Sequence, residues 1–149
     1  DGLEGFDFLG CHLRKRMSGR LWQQKGLRQY YLQRWPSRKA MNRVRERVRE
    51  LTPRGRCHQD VRGVIAELNP VLRGWGQYFQ TCNAANHFID VDAYVEQRLK
   101  GLRLKRAGRS LRAGQARRWD REYFERLGLH RLRGTIRYLG KPPGNGRAA

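Results

Sequence analysis

The residues of this chain that could carry chemistry are mostly cationic. Lys and Arg number 33 against 13 Asp and Glu, which gives a formal net charge of +20. Charge of one sign at that density repels itself unless a polyanion neutralises it, and the phosphates of a nucleic acid are the commonest such partner. A membrane surface is the second candidate, but it would need a helix with an exposed apolar face. No apolar run of about 18 residues exists for a bilayer span, and we expect no membrane partner.

Catalytic and metal-binding arrangements are not indicated. The four histidines and three cysteines show no ligand-like spacing, and the neighbours Cys57 and His58 are awkwardly placed for one metal. The acids are too scattered to suggest a carboxylate pair. We therefore expect no catalytic residue, no metal site and no cofactor. An odd number of cysteines without a Cys-x-x-Cys pattern fits a reducing, cytoplasmic setting.

The first 35 residues predict a β-hairpin. Aromatic side chains alternate in residues 5–10, as on a strand with one buried face, and residues 27–35 are rich in Tyr, Leu and Trp. Ser18 and Gly19 give a turn signal between the two segments. The basic residues 14–16 precede this turn, where they could contact a phosphate backbone or simply be solvated.

Residues 36–107 predict a small helical bundle. Ser37 is a suitable N-cap for a helix over residues 37–51 with an apolar stripe of Met41, Val44, Val48 and Leu51. A second helix begins near residue 59 or 60. Asn69-Pro70 predicts the start of a third helix over residues 70–81, and a fourth covers residues 90–107. Gly74 and Gly76 predict the close approach of another group to the third helix.

The C-terminal part predicts a basic extension over residues 108–139. From Arg98 to Arg118 there are nine basic residues and no acid, which is typical of a basic linker or arm. A short helix near Trp119 ends at Gly128, residues 129–139 are extended, and residues 140–149 form a disordered tail. The predicted fold class is thus mainly α: a small thumb-like bundle preceded by a short β-hairpin in residues 1–35 and followed by a basic extension.

The predicted nucleic-acid-binding residues come from three places. On the 37–51 helix one row of arginines contains no acid, whereas a neighbouring row mixes Lys39 and Arg43 with Glu46 and Glu50, which can pair locally. Arg73 lies one step from Trp75, Tyr78 and Phe79, whose helical spacing favours core packing over base stacking. Each basic row could also be an ordinary solvated face. The predicted residues are Arg38, Arg45, Arg49, Arg73, Arg98, Lys100, Arg103, Lys105, Arg106, Arg109, Arg117 and Arg118.

Four stretches of the sequence also match one family pattern. They are Phe8-Leu9-Gly10 after Gly5-Phe6-Asp7, Leu68–Trp75 followed by Tyr78-Phe79, Asp92–Val95 with Arg98-Leu99, and Leu127–Tyr138. They resemble, in that order, the end of the polymerase portion, the maturase-specific signature, the last helix of that domain and the C-terminal extension of group II intron reverse transcriptases/maturases. The resemblance implies a largely helical thumb, or domain X, which grips intron RNA in splicing and template–primer duplex in reverse transcription.

The departures from the family pattern limit what the resemblance implies. The chain has neither the Tyr-x-Asp-Asp motif of the polymerase nor an HNH-like His/Cys cluster, so Mg²⁺ is expected only for the polymerase part of a longer protein and for the intron RNA. Three functions stay open. They are a maturase domain that stabilises group II intron RNA, a polymerase thumb that grips template–primer duplex or target DNA, and a generic basic RNA- or DNA-binding protein.

Overall fold

An antiparallel sheet of three strands precedes the helices in the computed structural model, which describes residues 5–137. The strands are β1 (Phe6–Phe8), β2 (Cys11–Met17) and β3 (Tyr30–Pro36), and β2 lies in the middle. Helix α1 (Gly19–Lys25) connects β2 to β3. The predicted aromatic segments are therefore strands, but a further strand lies between them.

The basic residues 14–16 lie in β2 and precede Ser18, which caps helix α1 in the connection to β3. Arg14 is the Cα partner of Gln33 and Arg16 is the partner of Tyr31. The sequence of β2 has no clear apolar alternation, because four of its seven residues are basic or His. Pairing with strands on both sides satisfies its backbone instead.

Four more α-helices follow the sheet: α2 (Arg38–Leu51), α3 (Val61–Phe79), α4 (Ala85–Ala107) and α5 (Arg121–Arg126). Short 3-10 helices cover Arg54–His58, Gly108–Ser110 and Gln115–Arg118. As predicted, Ser37 caps α2, and its hydroxyl accepts a hydrogen bond from the Ala40 amide at 3.1 Å. The predicted fold class, mainly α with a short β element before it, is confirmed.

Helix α3 continues through Pro70, where the sequence predicted a new helix. Proline in a helix interior lacks an amide donor and costs about 3 kcal/mol. Leu68 and Leu72 on either side of it are fully buried, and burial of this face outweighs the missing hydrogen bond. Asn69 does not cap a helix. Its amide nitrogen donates to the Gly128 carbonyl and its oxygen accepts from the His130 amide, both at 2.8 Å.

The hydrophobic core extends from the helical bundle into the C-terminal segment. Leu68, Phe88 and Leu99 from α3 and α4 belong to the same cluster as Phe124 and Leu132, and all five are fully buried. Residues 119–132 therefore pack as part of the bundle. Helix α4 also begins five residues before the predicted start at residue 90, and its first turns place Phe88 in this core.

The predicted close approach to α3 occurs at Gly76. A Cβ atom on Gly76 would lie 2.6 Å from Cδ2 of Leu132, whereas a Cβ on Gly74 would meet nothing within 4 Å. Residues 129–137 form turns and irregular structure, so the extended conformation predicted for them is wrong. The buried Asp92 of α4 holds this segment, since its carboxylate accepts from the amides of Leu132 (3.1 Å) and Arg133 (3.0 Å). The predicted tail lies outside the described residues.

Candidate nucleic-acid interface

Metal and thiol chemistry find little support in the described part of the chain. Residues 5–137 contain no group of three or more His, Cys, Asp or Glu that could hold a metal ion. Cys11 and Cys82 lie close, with 3.8 Å between their sulfur atoms. Burial, and then the neighbouring Cys82, raise the pKa of the Cys11 thiol to about 11. Cys11 therefore stays protonated at neutral pH and is a poor nucleophile. Among the described helices, none has the length and apolarity that a bilayer crossing requires.

The predicted arginine row of α2 faces a cavity that also contains acids. Arg38 and Arg45 line a space of about 500 Å³ between α2, the sheet and the start of α4, while the exposed Arg49 does not line it. Asp7 and Asp90 line the same cavity. The row is free of acid along its own helix only, because folding brings carboxylates to it from β1 and α4. These carboxylates weaken its attraction for phosphate.

The expected pairing within the neighbouring row of α2 is not observed. Glu50 forms its ion pair with Arg47, at 3.0 Å. Within residues 5–137, Lys39 and Arg43 have no carboxylate partner, and both are exposed. Local spacing suggested that these two cations were neutralised; they instead remain available to an external anion.

A second cavity is lined by several cationic side chains and by no acidic one. It has a volume of about 700 Å³ and lies between α4 and the loop that follows α2. Its lining includes Arg98, Lys100 and Lys105 from the predicted set, together with Arg54, which was not predicted from the sequence. No carboxylate lines it. Arg54 lies just beyond the helix predicted over residues 37–51, and only the three-dimensional structure brings it beside α4.

Arg98 contributes to the fold as well as to this cavity. Its guanidinium donates to the Thr52 hydroxyl at 3.0 Å and to the Thr52 carbonyl at 2.6 Å. Thr52 is 1% exposed and donates in turn to the Val48 carbonyl at 2.7 Å. Arg98 thereby satisfies the carboxyl end of α2, where carbonyl groups lack intrahelical donors.

We expect Arg98→Ala to lower the free energy of unfolding by about 2 kcal/mol, because it leaves the buried Thr52 carbonyl without a donor. Chemical denaturation of the two proteins measures this difference. Arg98→Lys keeps the charge but not the two-point contact, and should recover less than half of the loss. Full recovery by Arg98→Lys would show that charge, and not the hydrogen-bond geometry, is what matters at this position.

The remaining basic residues between 103 and 118 differ in their surroundings. The Arg103 guanidinium lies over the rings of Trp119 (5.1 Å) and Tyr123 (5.8 Å), so this cation packs against the segment before and within α5. Arg106 donates to the Gln59 carbonyl at 3.2 Å. Arg109, Arg117 and Arg118 are exposed and lie on the two short 3-10 helices. The run is therefore not one continuous arm.

Arg73 lines a third cavity, of about 360 Å³, against the C-terminal segment. It is exposed, one step from the buried stripe of α3, as the sequence predicted. Arg137 and His130 line the same space, and the sequence offered no signal that they would meet Arg73. Burial, and then the Arg73 charge, lower the pKa of His130. His130 is therefore neutral at pH 7, and the positive charge here comes from the two arginines.

Most of the helical bundle matches one known protein family. The family model described as group II intron, maturase-specific domain, matches residues 41–131, which is more than half of the chain. The chain belongs to this family. The match begins in α2, includes α3 and α4, and ends one residue before Leu132. No curated protein and no solved structure matches the chain.

The residues that line the second cavity all lie within the matched range, whereas the third cavity is also lined by residues 134–137, which lie beyond it. Arg54, Arg73, Arg98, Lys100 and Lys105 all lie between residues 41 and 131. Family membership connects the chain with the maturation of group II introns. The cavities show where its cations are concentrated.

Proposed function

We propose that this maturase-specific domain binds group II intron RNA and stabilises the RNA fold that is active in splicing, as the thumb of an intron-encoded reverse transcriptase. The observation that carries the proposal is the acid-free cavity of Arg54, Arg98, Lys100 and Lys105 in a member of this family. Phosphate groups are the natural complement of four cations around one concave surface.

The affinity of this kind of binding depends on the shape of the RNA more than on its base sequence. The cations come from two elements, the 3-10 helix that begins at Arg54 and helix α4, so their relative positions are fixed by the fold. RNA phosphates that approach with the matching geometry displace counterions at several points together. An RNA conformation that offers this geometry is bound more tightly than others, and its population rises. The chemistry of splicing then belongs to the RNA.

The test measures affinity of the purified domain for a group II intron RNA and for a scrambled RNA over a series of salt concentrations. Arg54→Ala/Lys100→Ala/Lys105→Ala should reduce the slope of log affinity against log salt by about 2 to 3, since each lost phosphate contact removes roughly 0.7–0.9. The matched control is Arg20→Ala/Arg62→Ala/Arg126→Ala, which removes three exposed cations outside this cavity and should change the slope by less than about 1.

Two comparisons complete the design. Arg38→Ala/Arg45→Ala/Arg49→Ala should reduce the slope less than the cavity variant does, because Asp7 and Asp90 already neutralise part of that row. Equal affinity for intron and scrambled RNA would contradict the maturase proposal and favour a generic basic binder. Preference for a template–primer duplex over intron RNA would favour the polymerase-thumb alternative.

A further inference from the structure

An aromatic cavity lies between the sheet and the bundle, separate from the cavities lined by Arg98 and by Arg73. Its volume is about 640 Å³, within the range of roughly 300–1,000 Å³ that is typical of pockets for small organic molecules. Phe8 from the β1–β2 corner and Trp75, Tyr78 and Phe79 from α3 contribute aromatic rings to its lining. Phe8 is 59% exposed and Tyr78 is 58% exposed, so two of these rings have faces open to a ligand.

One wall of this cavity carries positive charge. Lys39 and Arg43 line it from α2, where they lie one helical turn apart. As described above, neither has a carboxylate partner within residues 5–137. Asp7 is the one acid in the lining, and its carboxylate accepts a hydrogen bond from Nδ1 of His12 at 2.6 Å. Positive charge therefore predominates beside the open rings.

The aromatic wall is held in place across the cavity. The Tyr78 hydroxyl donates to the Leu9 carbonyl at 2.6 Å and so connects α3 to the β1–β2 corner. In that corner Leu9 has a φ of +48° and Gly10 a φ of +80°. A non-glycine residue in the left-handed region is uncommon and costs of order 1 kcal/mol or more, and the contact with Tyr78 helps to maintain it. Phe8, next to Leu9, is thereby positioned opposite α3.

We propose that this cavity binds an unpaired nucleotide of the RNA, with the base against Phe8 and Tyr78 and the phosphate beside Lys39 and Arg43. The inference rests on the proposed function and adds a site for single-stranded RNA to it. Bases stack on aromatic side chains regardless of sequence, while nearby cations hold the backbone. Unpaired bases in loops and bulges are the parts of a folded RNA that can enter such a site.

The indole of Trp75 offers one further contact. Its N–H is buried and has no acceptor among residues 5–137, and Trp75 lines this cavity. Buried donors in proteins almost always have a partner. A base carbonyl or phosphate oxygen in the cavity is a suitable acceptor for this unused donor.

The test uses the full chain and two RNA hairpins, one fully paired and one with a single bulged uridine. The domain should bind the bulged hairpin about tenfold more tightly, the effect of one stacked base. A third hairpin with an abasic residue in the bulge should bind like the paired one. Phe8→Ala, and separately Lys39→Ala/Arg43→Ala, should each reduce the preference for the bulge to less than about threefold.

Controls come from the same elements. Tyr31→Ala removes an exposed ring on β3, and Arg47→Ala removes an exposed cation on α2, and neither residue lines the cavity. Both should keep the tenfold preference. Equal binding of bulged and paired hairpins by the unmodified domain, or an unchanged preference in both cavity variants, would overturn this inference. Intron preference and the salt slope test the proposed function separately, because they do not depend on the bulge.

Discussion

Phe124→Ala is expected to lower the free energy of unfolding of the domain by about 4 kcal/mol, as is typical when a large buried aromatic ring is removed. Phe124 lies on α5, is 0% exposed, and belongs to the core that α2, α3 and α4 share. The reason for the size of the effect is twofold. The substitution removes apolar contact area, and it leaves a cavity where helices from the whole bundle meet.

Urea denaturation followed by circular dichroism measures this loss, and Ile89→Ala serves as the control. Ile89 lies on α4 with 37% of its surface exposed, so its truncation should cost less than about 1 kcal/mol. A cost below 1 kcal/mol for Phe124→Ala as well would mean that the segment after Gly108 behaves as an appended arm and not as part of the core.

Asp92→Ala is the second substitution for which we expect a large loss, of about 3 kcal/mol. It leaves the amides of Leu132 and Arg133 without their acceptor, and hydrogen bonds to a charged group contribute about 1.5–3 kcal/mol each. For a domain of this size the loss corresponds to a fall in Tm of about 10 °C. Thermal unfolding followed at 222 nm measures it.

The control for Asp92→Ala lies two residues away on the same helix. Asp90→Ala removes a carboxylate that is exposed, so it should change Tm by no more than about 2 °C. Asp92→Asn keeps one acceptor oxygen and should lose less stability than Asp92→Ala. If Asp90→Ala and Asp92→Ala behaved alike, the attachment of residues 132 and 133 to α4 would not contribute to stability.

Local patterns in the sequence were sufficient to predict helix α2. The stripe of Met41, Val44 and Val48, with Ser37 before it, predicted α2 almost to the residue, because periodicity and capping act within a few residues of each other. The start of α4 was missed by five residues. Its first turn has no side-chain cap, so the sequence contained no signal for it, and the burial of Phe88 fixes it instead.

Tertiary packing decided the elements that the sequence did not predict. Pro70 is a strong local signal for a helix start, yet buried leucines on both sides keep α3 continuous. Strand β2 depends for most of its pairing on β3, whose residues lie 13 to 25 positions away in the sequence, from Tyr30 opposite Met17 to Pro36 opposite Cys11. Such non-local contacts leave no mark on the spacing of residues within β2.

For the basic residues, too, the sequence predicted some of the positions but not the contacts that depend on folding. Arg98, Lys100 and Lys105 were predicted from the sequence to bind nucleic acid, and in the structure all three line one cavity. Sequence could not show that Arg98 also caps α2, or that Arg103 lies over Trp119, because both contacts depend on the folded arrangement. Lys39 and Arg43 were not predicted to contact nucleic acid, because the spacing of acids on α2 suggested local ion pairs that the structure does not contain. Their assignment to RNA contact rests on the experiments above.

Asn69 limits which amino acids can occupy its position. Its side chain donates a hydrogen bond to the Gly128 carbonyl and accepts one from the His130 amide. Aspartate matches the shape but has only acceptors at neutral pH, so it would oppose the Gly128 oxygen, while leucine could serve neither group. Among side chains of this size, the carboxamide alone fits. Substitution of Asn69 should therefore lower the stability of the domain, even though no part of this side chain need touch RNA.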